Sequence, residues 1–510
     1  MAITKVTGGL LGNLAVGTGN VALGDSAGQS IQSGGNENTF IGDGAGASVT
    51  TGIRNVLIGY LAGDALTDAS ENIAIGKSAL SLDTLGTRTT AIGKSALSNQ
   101  NFTSSTQTYN VALGYEAGKA VTTGVNNTLI GGLAGDAITT ANSNTAVGQA
   151  ALTASTTGAN NVSIGYQSLY DNTTGFSNTA VGYRALANNT TADNNTAVGN
   201  DALISNTTGT RNTALGTFAM QAQTAGYDNT AIGYGAMYNA NNAALVVRNT
   251  AVGNGALYNN TGNDTTAIGH EALTAQTSGR RNVAVGVSSG YTTTTGTDNT
   301  FLGTNAGLLI TTASNTVCVG KGAGSNQTTG GQNVFIGQNA RGNATSTNAS
   351  IAIGYECVGQ GNFHTTLGVG AGSDRIYNNF SANASWTRIS DVRYKEEIAD
   401  NTDCGLDFIN DLRPVTYKFK ALSDIDSSLP DYNATSTNKK YDKKMYGLIA
   451  QEVKQAMDDN NITDFAGWDQ GENGIQGISQ EMFVHPLIKA VQELSAKNDA
   501  LEARIAALES

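Results

Sequence analysis

The chain has 510 residues, a net charge of −12, 64 glycines and only three prolines. Residues 1–380 carry 32 charged side chains and no proline, whereas residues 381–510 carry 36 charged side chains and all three prolines. The acidic balance argues against a nucleic-acid-binding protein, and no apolar run approaches the ~18 residues of a membrane span. The beginning of the chain lacks the pattern of a secretory signal. These features predict a repetitive, charge-poor first region and an ordinary globular second region.

A motif of the form Asn-Thr-Ala-(Val/Ile/Leu)-Gly recurs throughout the first region. Its glycine occurs 21 times, and 15 of the 20 intervals are 17 residues. A 17-residue unit is too short for a pair of helices, but it fits one coil of a β-solenoid with a short strand, a glycine corner, a second short stretch and a polar turn. The sequence therefore predicts a mainly β fold, with a solenoid rod (parallel β-roll or β-helix) over residues 20–372. The motif glycines are residues 24, 42, 59, 76, 93, 114, 131, 148, 165, 182, 199, 216, 233, 253, 269, 286, 303, 320, 337, 354 and 368.

Residue sizes are correlated within one repeat unit. In ten units the residue four places after the motif glycine is Leu or Met, and the middle strand residue is then Ala or Ser, as in the pair Ala74 and Leu80. A large residue at one of these positions and a small residue at the other are expected if both side chains face one close-packed layer. Five other units have a large middle residue (Phe40, Leu57, Leu129, Phe301, Phe335) and carry at the later position Gly46, Gly63, Gly135, Gly307 and Arg341.

The residue before each motif glycine is always Val, Ile or Leu. It points to the opposite face of the strand from the middle residue, and apolar residues on both faces indicate burial on both faces. One coil can bury only one of these faces against itself. The pattern therefore predicts a homo-oligomer, with a homotrimer as the simplest closed arrangement. The alternative is that both residues lie at a corner of a monomeric solenoid.

This repeat resembles the head repeats of YadA-type trimeric bacterial adhesins, whose motif is close to Asn-x-x-Ala-Ile-Gly-x-x-Ala. The resemblance implies a left-handed β-roll trimer. The period of 17 is longer than in those heads, which assigns the extra residues to a polar turn. An interwoven three-chain β-helix stays open as an alternative architecture.

The sequence changes character after Gly372, and residues 373–389 are expected to form a connector. Four ordered motifs then resemble the intramolecular chaperone domain of peptidase family S74, found at the end of phage tail fibres and endosialidase tailspikes. The resemblance implies a small α+β domain over residues 390–485. The motifs are residues 390–398, 405–418, 446–453 and 486–494.

In that family a Ser/Lys dyad cuts the chain at the start of the chaperone. The resemblance assigns Ser390 as the nucleophile, Lys395 as its base, and the bond between Ile389 and Ser390 as the cleavage site. A serine hydroxyl is a weak nucleophile until a base removes its proton, and lysine can act as that base only as the neutral amine. The alternative is that Ser390 caps a helix and Lys395 is a solvated side chain.

The last segment, residues 486–510, has heptad spacing that predicts a trimeric, parallel coiled coil. Asn498 is then the polar position that sets the register. The alternative is an amphipathic helix packed on its own domain. The heptad positions are Leu487, Val491, Leu494, Asn498, Leu501, Ile505 and Leu508.

Other residue patterns are weaker. Two lengthened units insert residues around 98–108 and 239–247, and such insertions are candidate receptor loops. Asp64, Asp136 and Asp201 do not form a recognisable paired-carboxylate motif. Tyrosines that follow the motif glycine are expected to form a structural ladder, with a sugar-stacking stripe as the alternative; they are Tyr60, Tyr115, Tyr166, Tyr183, Tyr234 and Tyr355.

Together these patterns predict a phage tail fibre, assembled in the host cytoplasm and incorporated in the virion. Residues 1–19 are expected to attach it to other tail or fibre proteins, and the rod to contact a host receptor, either a glycan or an outer-membrane protein. Its only enzymology would be one intramolecular cut, with no cofactor, metal ion, nucleic acid or membrane insertion. Two alternatives are a tailspike enzyme that degrades surface polysaccharide and a bacterial or prophage adhesin.

Overall fold

The chain forms two compact units, residues 1–390 and residues 391–510. The first unit consists of short strands connected by turns, and the second combines helices with small hairpins. A computed structural model describes residues 17–240, 246–372, 374–379, 387–388, 392, 395–429, 432–439, 442–470 and 474–509. Most of the expected attachment segment, residues 1–19, therefore lies outside the described residues.

The strands of the first unit are mostly three residues long, and each three-residue strand ends just before a motif glycine. They are β1 (Val21–Leu23), β2 (Thr39–Ile41), β3 (Val56–Ile58), β4 (Ile73–Ile75), β5 (Gly86–Thr87), β6 (Thr90–Ile92), β7 (Thr106–Gln107), β8 (Val111–Leu113), β9 (Thr128–Ile130), β10 (Thr145–Val147), β11 (Val162–Ile164), β12 (Thr179–Val181), β13 (Thr196–Val198), β14 (Thr213–Leu215), β15 (Thr230–Ile232), β16 (Thr250–Val252), β17 (Thr266–Ile268), β18 (Val283–Val285), β19 (Thr300–Leu302), β20 (Val317–Val319), β21 (Val334–Ile336), β22 (Ile351–Ile353), β23 (His364–Gly368), β24 (Arg375–Asn379) and β25 (Thr387–Arg388).

These strands stack in a parallel ladder, so the predicted β-solenoid is confirmed. Each strand pairs in register with the strand one coil later, as Ala180 does with Ala197 and Ala197 with Ala214. The register therefore aligns every coil on its motif glycine. Below, position +1 is the residue after that glycine and position −1 the residue before it. The short strands β5 and β7 pair with each other outside this ladder, and they join the first lengthened coil to the coil before it.

The segment expected to be a connector contributes two strands to the end of the solenoid. Strand β24 pairs antiparallel with β23, the strand of the last coil, and β25 pairs antiparallel with β24. An exposed parallel edge is a template for unwanted pairing with other chains. Strands β24 and β25, which follow β23 directly in the chain, cover that edge. The change in amino-acid composition after Gly372 does not reveal this pairing.

Three positions in most coils have left-handed backbone conformations, whether the residue there is glycine or not. In one coil these are Asn194, Asp201 and Leu203, with φ of 59°, 52° and 51°. The amide of Asp201 donates to the preceding coil (Tyr183 O, 2.9 Å), whereas that of Leu203 donates to the following coil (Ala219 O, 3.0 Å). The conformation costs roughly 1–2 kcal/mol per residue, and the inter-coil hydrogen bonds offset that cost.

The apolar interior of the rod contains a layer in which middle strand residues pack with position +4 side chains. Ala197 and Leu203 are both fully buried. A Cβ on Gly307 would lie 2.6 Å from the ring of Phe301, and one on Gly63 would lie 2.9 Å from Leu57. The predicted exchange of large for small within a unit is therefore confirmed for the glycines.

Neighbouring coils also make room for the large side chains. A Cβ on Gly290, in the coil before Phe301, would lie 2.6 Å from that ring. The coil of Phe335 carries Arg341 at position +4, and there the preceding coil supplies space at Gly324, whose added Cβ would lie 3.1 Å from Phe335. The guanidinium of Arg341 instead donates to the carbonyl of Asn339 at 3.2 Å.

Position −1 lies on the opposite face of the strand, as the sequence predicted. The middle residues are buried, whereas Leu113, Leu215 and Leu302 at position −1 are 45–47% exposed. The others at this position are half-buried or at most 40% exposed. In the single chain, the rod therefore carries a continuous apolar column on its outer surface.

The motif asparagine forms a buried ladder through the rod. The side-chain oxygen of Asn195 accepts a hydrogen bond from the backbone N–H of Asn212 (3.0 Å), and its amide nitrogen donates to Gly209 O (2.8 Å). The same two contacts recur between successive coils. Buried backbone N–H and C=O groups need hydrogen-bond partners. The asparagine side chain provides partners for such groups beyond the ends of the three-residue strands.

In two of the coils in which threonine replaces the ladder asparagine, a glutamine compensates. Gln100 donates to Thr89 Oγ1 at 3.0 Å and accepts from the amide of Asn110 at 2.8 Å. Gln276 does the same for Thr265 (3.2 Å) and for Asn282 of the next coil (2.9 Å). The glutamine lies eleven residues after the threonine each time, so the two substitutions form one structural unit.

The second unit has a small core surrounded by short elements. Phe408 is fully buried, and its ring contacts Phe465 edge-on and Phe483 in a stacked geometry. Strand β26 pairs antiparallel with β27, and β28 with β29. The elements are α1 (Leu406–Asp411), β26 (Val415–Tyr417), β27 (Met445–Gly447), α2 (Ala450–Asp459), β28 (Trp468–Gln470), β29 (Gln476–Ile478), a 3₁₀ helix (Gln480–Phe483) and α3 (Val484–Glu509).

Candidate functional site

The expected cleavage dyad lies where the two units meet in the sequence. Ile389 and Ser390 lie outside the described residues, so the structure does not test their predicted roles. Lys395 is exposed within the second unit, and its backbone N–H donates to Val392 O at 3.1 Å. Burial favours the neutral amine that a lysine base requires. The exposed position of Lys395 in the single chain therefore does not provide that burial.

Helix α3 is anchored to the second unit near its middle. The carboxylate of Glu493 accepts a hydrogen bond from the backbone N–H of Leu406 at the start of α1, at 2.7 Å. This contact satisfies an N–H group that the first turn of a helix leaves without an intrahelical partner. Beyond it, α3 continues to Glu509 with exposed side chains.

The heptad positions of α3 form an exposed apolar seam. Asn498 donates to Glu502 on the same helix at 3.1 Å. Single-chain packing against the domain, the alternative to a coiled coil, would bury these positions, but each apolar one is more than half exposed. They are Leu487, Val491, Leu494, Leu501, Ile505 and Leu508.

An apolar groove lies beside the first turn of α3. Its lining includes Leu412, Pro414, Leu448, Phe483 and Leu487. Leu487 belongs to both the groove and the seam, so the two apolar surfaces are continuous. A continuous apolar surface of this kind is more typical of a protein–protein interface than of a surface that stays exposed to solvent.

Charged residues at position −5 form an alternating column along part of the rod. Arg211 pairs with Asp228 at 2.6 Å, and the next pairs follow the same pattern two coils further on. Glu71 accepts from Arg88 at 2.8 Å and from Arg54 at 3.4 Å, and its pKa is lowered by these arginines, Arg88 most strongly. Exposed pairs of this kind each contribute roughly 0–1 kcal/mol.

The tyrosines at position +1 are exposed and only partly form a ladder. Tyr166 and Tyr183 stack with ring centroids 5.4 Å apart. Tyr60 and Tyr115 instead contact lysines of neighbouring coils, Lys77 at 5.6 Å and Lys94 at 5.1 Å. The predicted structural ladder is therefore interrupted by cation–π contacts.

The acidic residues that a glycosidase would need are far apart. Asp64 and Asp136 are separated by four coils, which is about 19 Å at the spacing of stacked strands. Burial raises the pKa of both carboxyl groups, but Asp201 is bound by Arg184 at 2.9 Å. A glycosidase uses two carboxylates within about 10 Å, so these three residues do not form such a pair.

Comparison with known families matches part of the second unit. Residues 390–462 match the family described as chaperone of endosialidase, peptidase family S74. The C-terminal unit therefore carries the chaperone domain that the motifs predicted, and β-solenoid and chaperone together fit a tail fibre or tailspike type of protein. Comparison with curated proteins gives no match. Within the described residues, none of the helices has the length and apolar character to cross a membrane.

Proposed function

We propose that this protein is the homotrimeric tail fibre of a bacteriophage and attaches the virion to the host surface. The observation that carries the proposal is a chaperone-of-endosialidase match directly after a β-solenoid of stacked coils. A long rod with many non-local strand pairings folds slowly. An assembly domain that holds three chains in alignment would speed the formation of the correct strand pairings.

Two exposed apolar surfaces support a trimer. The position −1 column of the rod and the α3 seam each expose aliphatic side chains regularly along their length, for example Leu215 at 45% and Leu494 at 56%. Such repeated exposure is costly in a monomer. Three parallel copies would bury the seam in a coiled coil and bring the rods side by side.

In the proposed trimer, the chaperone is released by one intramolecular cut between Ile389 and Ser390. Ser390 attacks the carbonyl carbon of Ile389, and Lys395 takes the hydroxyl proton and passes it to the leaving nitrogen of Ser390. This N→O acyl shift leaves Ile389 as an ester on the Ser390 oxygen, and hydrolysis of that ester by water completes the cut. Packing of partner copies around Lys395 would supply the burial that the single chain lacks.

Cleavage is tested by the mass of the purified protein. We expect the wild type to separate into residues 1–389 and 390–510, and Ser390→Ala to stay a single 52.2 kDa chain. Lys395→Ala should also stay whole, whereas Lys418→Ala, an exposed lysine of the same unit, should be cut like the wild type. An intact wild-type chain would contradict the cleavage claim.

Host attachment is tested by competition. Recombinant fibre at saturating concentration should slow adsorption of the phage to host cells about tenfold or more, because both compete for one receptor. Unchanged adsorption would contradict the proposal. Release of oligosaccharides from host polysaccharide would instead favour a tailspike enzyme, and the protein on washed cells without phage particles would favour an adhesin.

A further inference from the structure

Four successive coils place a tyrosine, two lysines and a second tyrosine at position +1. The register of β3, β4, β6 and β8 aligns these coils. Lys77 Nζ lies 5.6 Å from the ring centre of Tyr60, and Lys94 Nζ lies 5.1 Å from that of Tyr115. Both rings are about half exposed, at 48% and 51%. Tyr60, Lys77, Lys94 and Tyr115 are called the Tyr–Lys stripe below.

The two lysines differ from the paired cations of the rod. Among the described residues, neither Lys77 nor Lys94 has a carboxylate within 4 Å. Glu116, at position +2 of the coil after Lys94, attracts Lys94 through its charge, but it is bound by Lys119 at 3.1 Å and by the hydroxyl of Tyr115. By contrast, the arginines at position −5 are paired with acidic residues of adjacent coils.

Two ammonium groups on adjacent coils repel each other. Their backbones are ~4.8 Å apart, and like charges directly opposite on neighbouring strands are destabilising. Lys77 and Lys94, which form no salt bridge within the described residues, therefore make a local positive patch, and such a patch attracts anions.

We infer that the Tyr–Lys stripe binds an anionic saccharide, a sugar that carries carboxylate or phosphate. The ammonium groups of Lys77 and Lys94 would hold the anionic group between them, while the apolar face of a sugar ring would lie against the exposed rings of Tyr60 and Tyr115. The inference rests on the proposed attachment function and names the ligand class. The lengthened coil that contains Lys94 also carries the insertion around residues 98–108.

The test uses the full-length protein on an array of bacterial polysaccharides with neutral, carboxylate-bearing and phosphate-bearing members. We expect anionic members to be bound best, with binding that weakens as salt rises. Lys77→Gln and Lys94→Gln should each lower this binding about tenfold, as expected for loss of a charge-assisted contact. The carboxylate and phosphate members separate the two sources of negative charge.

Lys321 offers a matched control. It is an exposed lysine at the same position +1, but its column neighbours are Thr304 and Gln338. Lys321→Gln removes one positive charge and should leave binding unchanged. Preferential binding of neutral members, or wild-type binding by the Lys77→Gln/Lys94→Gln variant, would overturn the inference.

Two outcomes separate this inference from the proposed function. If the Lys77→Gln/Lys94→Gln variant still competes with the phage for host cells, the inference that the Tyr–Lys stripe binds the ligand is wrong, and the attachment function is retained. Binding of anionic saccharides without competition would support the stripe and count against attachment. Loss of the oligomer in the double variant, by native mass spectrometry, would assign the lysines to a contact between copies and overturn the inference.

Discussion

Gly199→Ala is expected to lower the free energy of unfolding of the rod by about 3 kcal/mol. Its φ of +141° belongs to a region that only glycine adopts readily, at a cost of order 1–3 kcal/mol for other residues. A Cβ there would also lie 2.5 Å from Gly216 O and 2.6 Å from Gly216 C in the next coil. Because both atoms are backbone, relief requires the two coils to move apart.

The measurement is urea-induced unfolding of the full chain, with hydrogen exchange of the strands to locate the loss. Faster exchange should centre on β13 and β14, since each coil contacts only its neighbours. Gly132→Ala is the control, because a Cβ at Gly132 meets nothing within 4 Å. Equal stability of the Gly199→Ala and Gly132→Ala variants would contradict the close packing of the glycine column.

Phe301 and Gly307 should behave as one packing unit in a double-mutant cycle. Phe301→Ala leaves a cavity and is expected to cost about 3–5 kcal/mol. Gly307→Leu alone should cost about 1–3 kcal/mol, because its Cβ would lie 2.6 Å from the Phe301 ring. The backbone does not forbid the leucine, since Leu273 occupies the same position with φ of 51°.

The double variant Phe301→Ala/Gly307→Leu recreates the arrangement of the ten coils with Ala or Ser and Leu or Met. We expect it to recover about 2 kcal/mol or more of the summed losses, since contacting residues are non-additive. Recovery will be incomplete because Gly290, in the preceding coil, leaves space made for the ring. Strict additivity in urea unfolding would show that the two positions do not share one layer.

The main features of the rod could be predicted because they depend on period and size. A fixed 17-residue interval specifies stacked coils, and the exchange between Leu57 and Gly63 reveals that two positions share one volume. The alternation of Ala197 and Val198 correctly placed them on opposite faces. None of these three inferences requires knowledge of a contact between residues that are distant in the sequence.

The polar interior could not be predicted in the same way. Asn195 stands in an Asn-Thr motif typical of turns, and nothing local shows that its amide reaches Gly209 of the next coil. Left-handed positions such as Leu203 are equally hidden, because a leucine rarely adopts that conformation without a surrounding structure that enforces it. The role of Ser390 was inferred from motif resemblance and stays a prediction.

The coil-to-coil regularity has a consequence for the length of the protein. Between Gly148 and Gly269, neighbouring coils use the same pairing of a small middle residue with Leu or Met, so one copy can replace another at an interface. Gain or loss of a whole 17-residue coil there would change the rod by ~4.8 Å without creating a new kind of contact. The aromatic coils are not interchangeable, because Phe301 depends on a glycine in the coil before it. The length of the rod could therefore change in steps of one coil within the segment from Gly148 to Gly269, whereas the aromatic coils could not be exchanged singly.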